Sequence, residues 1–395
     1  INRGSQIFAV GTADKPITFT ATADAVEGSA GAEDVQLWGG MVINGFGVSN
    51  KCEYTGTRGD DLALVGECNI AAEGAEGLDE SYYGGANDDD SSGRMEYVIV
   101  KHTGAQVANG DELNGISFGG VGRNTIVKNL QVYSTYDDGI EMFGGAVNFE
   151  NFIAVFVRDD SIDVDEGYIG SITNALVIQQ ETDGNRCVEA DGIGSYSSKT
   201  PEFIQDMFDR GLNSRPTITG LTCIFSPSEG THDPGAGLRL REGLWPTIRH
   251  AVVFGAYADE FEAGDHWGVR VDDTVASEGF VGGNASITDT VFGAVTKSSK
   301  TIAGLDVSDW LEANSNTVFA DIAAATDPTQ LADTQLIILS SANGYYSIPV
   351  AEVVVNDAAL PELVVEASFL GAVDANDDWT AGWAFGLDQD FWFQQ

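Results

Sequence analysis

Five segments down the middle of this chain repeat one phrase: a polar corner, an apolar strand, then a second strand rich in carboxylates. They begin at Asn129-Leu-Gln-Val-Tyr, Asn151-Phe-Ile-Ala-Val, Asn174-Ala-Leu-Val-Ile, Gly220-Leu-Thr-Cys-Ile and His250-Ala-Val-Val-Phe. The starts lie 22 residues (129 to 151), 23 (151 to 174), 46 (174 to 220) and 30 (220 to 250) apart, the 46-residue gap being two periods filled by an insertion. A period in the low twenties, built of strands without a regular helix, predicts a solenoid whose coils touch only their neighbours. Its core lengthens as a cylinder, so 395 residues can form one domain, where a globular chain of that length divides. The expected fold is all-β, a parallel β-helix over 1–395.

Stacked coils turn residues distant in sequence into columns. The second strands align as Asn114-Gly-Ile-Ser117, Asp138-Gly-Ile-Glu141, Asp160-Ser-Ile-Asp163, Arg186-Cys-Val-Glu189, Ala236-Gly-Leu-Arg239 and Trp267-Gly-Val-Arg270. Strand side chains alternate faces, so Ile116, Ile140, Ile162, Val188, Leu238 and Val269 point inward. The outward column then reads Ser117, Glu141, Asp163, Glu189, Arg239, Arg270. A parallel column two residues on reads Gly119, Phe143, Asp165, Asp191, Arg241, Asp272, and the preceding corner adds Asp137, Asp138, Asp159, Asp160 and Asp183.

Rungs about 4.8 Å apart force like charges in such columns to repel. The carboxylates must take up protons or share a cation. Hard oxygen donors supplied from two rungs suit Ca²⁺, so Asp137, Asp138, Glu141, Asp159, Asp160, Asp163, Asp165, Glu189 and Asp191 are the candidate ligands. The competing reading is a solvated acidic face with Glu189 paired to Arg239. Arg239, Arg241 and Arg270 form a candidate patch for an anionic ligand, with His232 and His266 near that end. Asp88-Asp-Asp90 and Asp374 to Asp378 lack EF-hand spacing and read as turns.

The charge narrows the partners. With 61 acids against 19 bases the chain carries −42, which repels nucleic acid and anionic membrane surfaces and attracts divalent cations. Its 20 Phe, 11 Tyr and 7 Trp exclude a disordered acidic chain. Cys52 and Cys68 bracket a Gly/Asp-rich loop that a disulfide would close; Cys187 and Cys223 would pair across neighbouring coils, or remain buried thiols. No apolar run is long enough to span a bilayer. The chain opens at Ile1 rather than Met, which with the acidity points to a protein secreted or anchored at the bacterial cell surface.

Three segments interrupt the repeat. Residues 50–93 read as a loop-rich insertion. Thr200 caps and Pro201 opens a short helix that Gly211 stops, and a second helical stretch runs from Ser308 to about 333. The aromatic-rich end, Phe369 to Gln395, is expected to cap the open end of the solenoid.

The periodicity resembles the right-handed parallel β-helix of pectate lyases and polygalacturonases. Gly11-Thr-Ala-Asp-Lys-Pro16, Trp38-Gly-Gly-Met-Val-Ile-Asn-Gly45, Asp137-Asp-Gly-Ile-Glu-Met-Phe-Gly-Gly145 and Asp378-Trp-Thr-Ala-Gly-Trp383 resemble a family of secreted or lipid-anchored bacterial β-helix proteins of largely unassigned function. The resemblance implies fold over nearly the whole chain and no residue-by-residue chemistry. Asp163, Asp165 and Glu189 beside Arg239 and Arg270 are similar to the acids and arginines of pectate lyases, and Asp159-Asp160 to a polygalacturonase carboxylate pair; the G-H-G and R-I-K signatures are missing. Fold alone assigns no catalysis. The residues therefore favour a non-catalytic, exported, Ca²⁺-binding β-helix presenting a long face to a polysaccharide, a cell-surface protein or its own copies. A polysaccharide lyase or glycosidase comes second, and a structural filament or surface-layer subunit third.

Overall fold

The computed structural model describes residues 1–74, 81–107, 112–180, 182–230, 232, 234–255, 265–293, 305–315, 317–320, 347–349, 354–355, 358–359, 369–374 and 377–387. Among these, most strands gather into a twelve-stranded and a seven-stranded parallel sheet, wrapped around one apolar core. Gly93–Lys101, Ile126–Thr135, Asn148–Val157, Ser171–Ile178 and Thr217–Phe225 pair side by side in chain order. Between them run the short strands Ile116–Gly119, Ile140–Phe143, Ile162–Asp165, Arg186–Asp191 and Ala236–Arg241, also in order, with Met41–Asn44 and Val269–Val271 at the two edges. Long strand, corner, short strand, return: this is the expected β-helix.

The repeated phrase begins at a bend. Tyr97, Asn129, Asn151, Asn174, Gly220, His250 and Asp289 all have φ between 50° and 71°, which folds each coil at the same place. Asparagine tolerates that left-handed conformation better than most side chains. The amides also stitch the coils together: Asn151 Nδ2 donates to Asn129 Oδ1, and Asn174 Nδ2 to Asn151 Oδ1, each at 2.9 Å. The 46-residue gap is a single enlarged coil, because Ser171–Ile178 pairs directly with Thr217–Phe225.

Both disulfides form. Cys52–Cys68 closes the insertion, and Cys187–Cys223 joins the short-strand sheet to the long-strand sheet inside the core, with Cα atoms 5.5 and 5.9 Å apart. The helix Pro201–Asp209 starts as expected, with the Phe203 amide donating to Thr200 Oγ1. The later helix spans Val307–Asn314 and is capped by Asp306; residues 321–333 of the expected stretch lie outside the described residues. A further helix, Thr274–Val281, capped by Asp273, had no counterpart in the sequence reading, since its Thr, Val and Gly content disfavours helix.

The C-terminal segment shields apolar surface as a cap does, but along the flank of the cylinder. Ala372, Val373, Trp383 and Leu387 cover Ile99, Ile153, Leu176 and Ile178, the outward residues of the long strands beyond their bend. That face is apolar and needs a cover, whereas the preceding leg is polar outside: Lys128 pairs with Glu150 there. Residues 388–395 lie outside the described set. On the opposite side, Tyr54 of the 50–93 insertion and Val48 just before it pack against Ile193, Met207 and Leu212 of the 193–212 excursion. Arg58 fastens it, bonding Asp88 and the carbonyls of Gly145 and Gly167. The insertion thereby walls one side of the short-strand sheet's outer face.

Candidate metal centre in the carboxylate groove

The short-strand sheet puts the anticipated columns in register. Glu141 pairs with Ser117 on one side and Asp163 on the other, Asp163 with Glu189, Glu189 with Arg239, and Arg239 with Arg270. Phe143 pairs with Gly119 and Asp165, and Asp191 with Arg241. The six inward residues are buried without exception. Outward from the sheet does not mean open to water, however: Glu141 and Glu189 are only 9% and 6% exposed, because insertion and corner loops roof the column into a groove.

Corner residues are placed by backbone stitching. Asn114 Oδ1 accepts the Asp138 amide (3.2 Å), Asp138 Oδ1 the Asp160 amide (2.9 Å), and Asp160 Oδ1 the Arg186 amide (2.8 Å). Each aspartate thus caps the next rung, which fixes both carboxylates beside Asp163. Oxygens of Asp138, Asp160 and Asp163 lie within 4.8 Å of one another, as do those of Asp137, Asp138 and Asp159. Asn114 Nδ2 donates to Glu141 Oε2 at 2.6 Å. Asp159 accepts from Asn185 and sits 2.9 Å from His232 Nδ1, so this histidine serves the corner rather than the arginine end. Among the described residues, no hydrogen bond or ion pair reaches the Asp163 carboxylate.

The groove divides by charge. At one end Glu189 is held by Arg239 and Arg241, Asp191 by Arg241, and Asp272 by Arg239 and Arg270. Burial pulls Arg241 down, but Asp191 and Glu189 outweigh it and hold the guanidinium above its usual value. Burial raises Asp191 only to about 6 because Arg241 opposes it. At the other end burial prevails: Arg186 opposes it at Asp160 without offsetting it. Burial first, and neighbouring carboxylates second, push Asp138, Glu141, Asp160 and Asp163 well above the ordinary range. The same causes raise Asp137 to about 7 and Asp165 to about 8. Such groups hold protons at neutral pH unless a cation replaces them.

The donor set fits a hard divalent cation. Ligands on opposite sides of Ca²⁺ stand about 4.6–5.2 Å apart, from bonds of 2.3–2.6 Å. Three carboxylate oxygens within 4.8 Å can therefore close on one ion, and no soft ligand is among them. The other candidates have structural employment. Asp88 pairs with Arg58, and Asp90 Oδ2 accepts the Phe46 amide; His102 Nδ1 meets Asp34 O, and His250 occupies a bend. His266 is buried. Sequence reasoning missed Asn114 as an organiser of Glu141, and missed Lys51, Ser49, Tyr83 and Glu166, which meet at the groove's insertion side. Asn114 could have been read from its place at the head of the corner column. The other four carry no periodic signal.

No helix among the described residues is long and apolar enough to cross a membrane. The disulfides suit an oxidising, extracellular compartment. Neither the curated proteins nor the solved structures contain a significant match to this sequence. A family model described as a pectate-lyase-like β-helix domain does match, over residues 1–335. With parallel coils, inward aliphatic columns and most of the chain matched, the protein belongs to the pectate-lyase-like β-helix domain family.

Proposed function

We propose that this is an exported, non-catalytic β-helix protein that binds Ca²⁺ in the carboxylate groove and uses it to engage an acidic polysaccharide at the cell surface. One observation carries the reading: oxygens of Asp138, Asp160 and Asp163 converge within 4.8 Å, where Arg186 only partly offsets the burial of Asp160, while Arg239, Arg241 and Arg270 each already hold an acid. A cation bound there would neutralise the cluster and keep coordination positions for ligand oxygens. The paired arginines count against the lyase alternative, since a base must give up its proton and Arg239 and Arg241 are stabilised in the charged form.

The test is thermal unfolding with Ca²⁺, with EGTA, and with polygalacturonate added to each. Ca²⁺ should raise Tm, EGTA should reverse the rise, and the polymer should add to it only when Ca²⁺ is present. An unchanged Tm with Ca²⁺ refutes the site. Release of unsaturated uronides from the polymer refutes the non-catalytic assignment.

A further inference from the structure

Glu166 is an expensive residue in an unexpected place. It follows the outward Asp165 at a turn where φ is 56°, and the equivalent positions on the two preceding rungs are Gly120 and Gly144. A glutamate there bears strain that glycine avoids. Its side chain is also wholly buried, and a buried charge needs partners. All three come from the insertion or the residue just before it. Ser49 Oγ and Tyr83 OH donate to Oε2 at 2.6 and 2.8 Å, and the Lys51 ammonium pairs with Oε1.

Lys51 is held in place by its neighbours. Asn50 donates to the carbonyls of Gly192 and Leu212 and accepts from the Gly194 amide, while its own amide bonds Glu166 O at 2.8 Å. Cys52, on the other side, is tied to Cys68. Glu166 directly follows Asp165, which pairs in register with Phe143 on the strand that carries Glu141, so the ammonium sits in the field of the groove: burial lowers its proton affinity, yet Glu166, Asp165 and Glu141 together more than restore it. Strain and burial kept at one point persist only where the surrounding structure holds them.

We infer that Lys51 is a tethered counter-ion of the carboxylate groove, so that the insertion carrying it and a bound divalent cation oppose one another. The inference rests on the Ca²⁺ reading above. Both cations draw on the same negative field, so each weakens the hold of the other, and the effect is reciprocal. The insertion is then a sensor of ion occupancy: its grip at Glu166 slackens when the groove fills.

Calorimetric titration with CaCl₂ of the wild type, Lys51→Met and Lys51→Arg tests this. Lys51→Met should bind Ca²⁺ at least about five-fold more tightly, the lower end of ordinary coupling, and Lys51→Arg should match the wild type. In the unmutated protein, Ca²⁺ should speed hydrogen exchange at the Asn50 and Cys52 amides. Equal or weaker affinity in Lys51→Met, or exchange that slows or stays the same, overturns the counter-ion role. Absence of any Ca²⁺ uptake by the wild type overturns the metal site and the inference together, whereas uptake that ignores Lys51 overturns only the inference.

Discussion

Replacing Asp163 by asparagine should remove most of the stabilisation that Ca²⁺ gives this protein. Its carboxylate stands within 4.8 Å of oxygens of Asp138 and Asp160. Two full charges at that separation repel by about 3–4 kcal/mol at an effective dielectric near 20. Without a cation, the groove escapes this cost by keeping protons, and at pH 8 keeping them becomes harder. The Asp163→Asn substitution removes the central charge while preserving size, so the metal-free variant should be more stable than the wild type at that pH, by about 1 kcal/mol or more. The Ca²⁺-loaded comparison should run the other way. At free Ca²⁺ one hundred times Kd, binding stabilises by about 2.7 kcal/mol. For a chain of 395 residues that corresponds to about 3 °C in Tm, taking about 2.1 cal/mol/K of unfolding entropy per residue. A hundred-fold loss of affinity would reduce it to about 0.4 kcal/mol. Calorimetric melts at pH 8 with EGTA or Ca²⁺ read both effects. An Asp163→Asn protein that melts lower than the wild type in EGTA, or that retains the full Ca²⁺ increment, refutes the reasoning.

Three further outcomes are expected of the same structure. Carboxyls raised in the folded state bind more protons folded than unfolded, so in EGTA their stabilisation is present at low pH and lost as pH climbs from about 4, the unfolded value, through about 7 and 8 for Asp137 and Asp165. Melts across that window should fall in EGTA and flatten with Ca²⁺; a rising EGTA series would contradict the assignment. Replacing Cys187 and Cys223 together by alanine opens a cross-link spanning 36 residues and should cost about 2–5 kcal/mol, seen as a lower urea midpoint; an unchanged midpoint would deny the staple any weight. Asn151→Leu loses two amide bonds of the bend ladder and places an unsuited side chain at φ 63°, at a cost of about 2–4 kcal/mol, whereas Asn151→Gly should cost less; equal losses would mean that backbone conformation is irrelevant there.

The two sets of residues in the groove differ in how visible they were beforehand. Glu141, Asp163 and Glu189 could be aligned from spacing, because a β-helix translates one coil onto the next and alternation fixes which side chains face out. The same logic identified the inward aliphatics and the bend at Asn129, Asn151 and Asn174. It allowed Glu189 to pair with Arg239, but it could not show that Arg241 joins that pair while Asp163 is ion-paired to neither, since both acids occupy equivalent positions in the repeat.

What decided between them was docking. The insertion that brings Lys51 to Glu166 and Tyr83 over the sheet has no period, and its path depends on contacts with residues more than a hundred positions away, such as Asn50 with Gly192 and Leu212. The C-terminal segment found the flank for a similar reason: its aromatic content announces a need for burial but not the surface that satisfies it. Local periodicity is a property of the chain and is legible in it. The burial that raises Asp163 and the partners that hold Glu189 arise only when separate segments close over one groove, because desolvation and pairing depend on distances that no stretch of sequence contains.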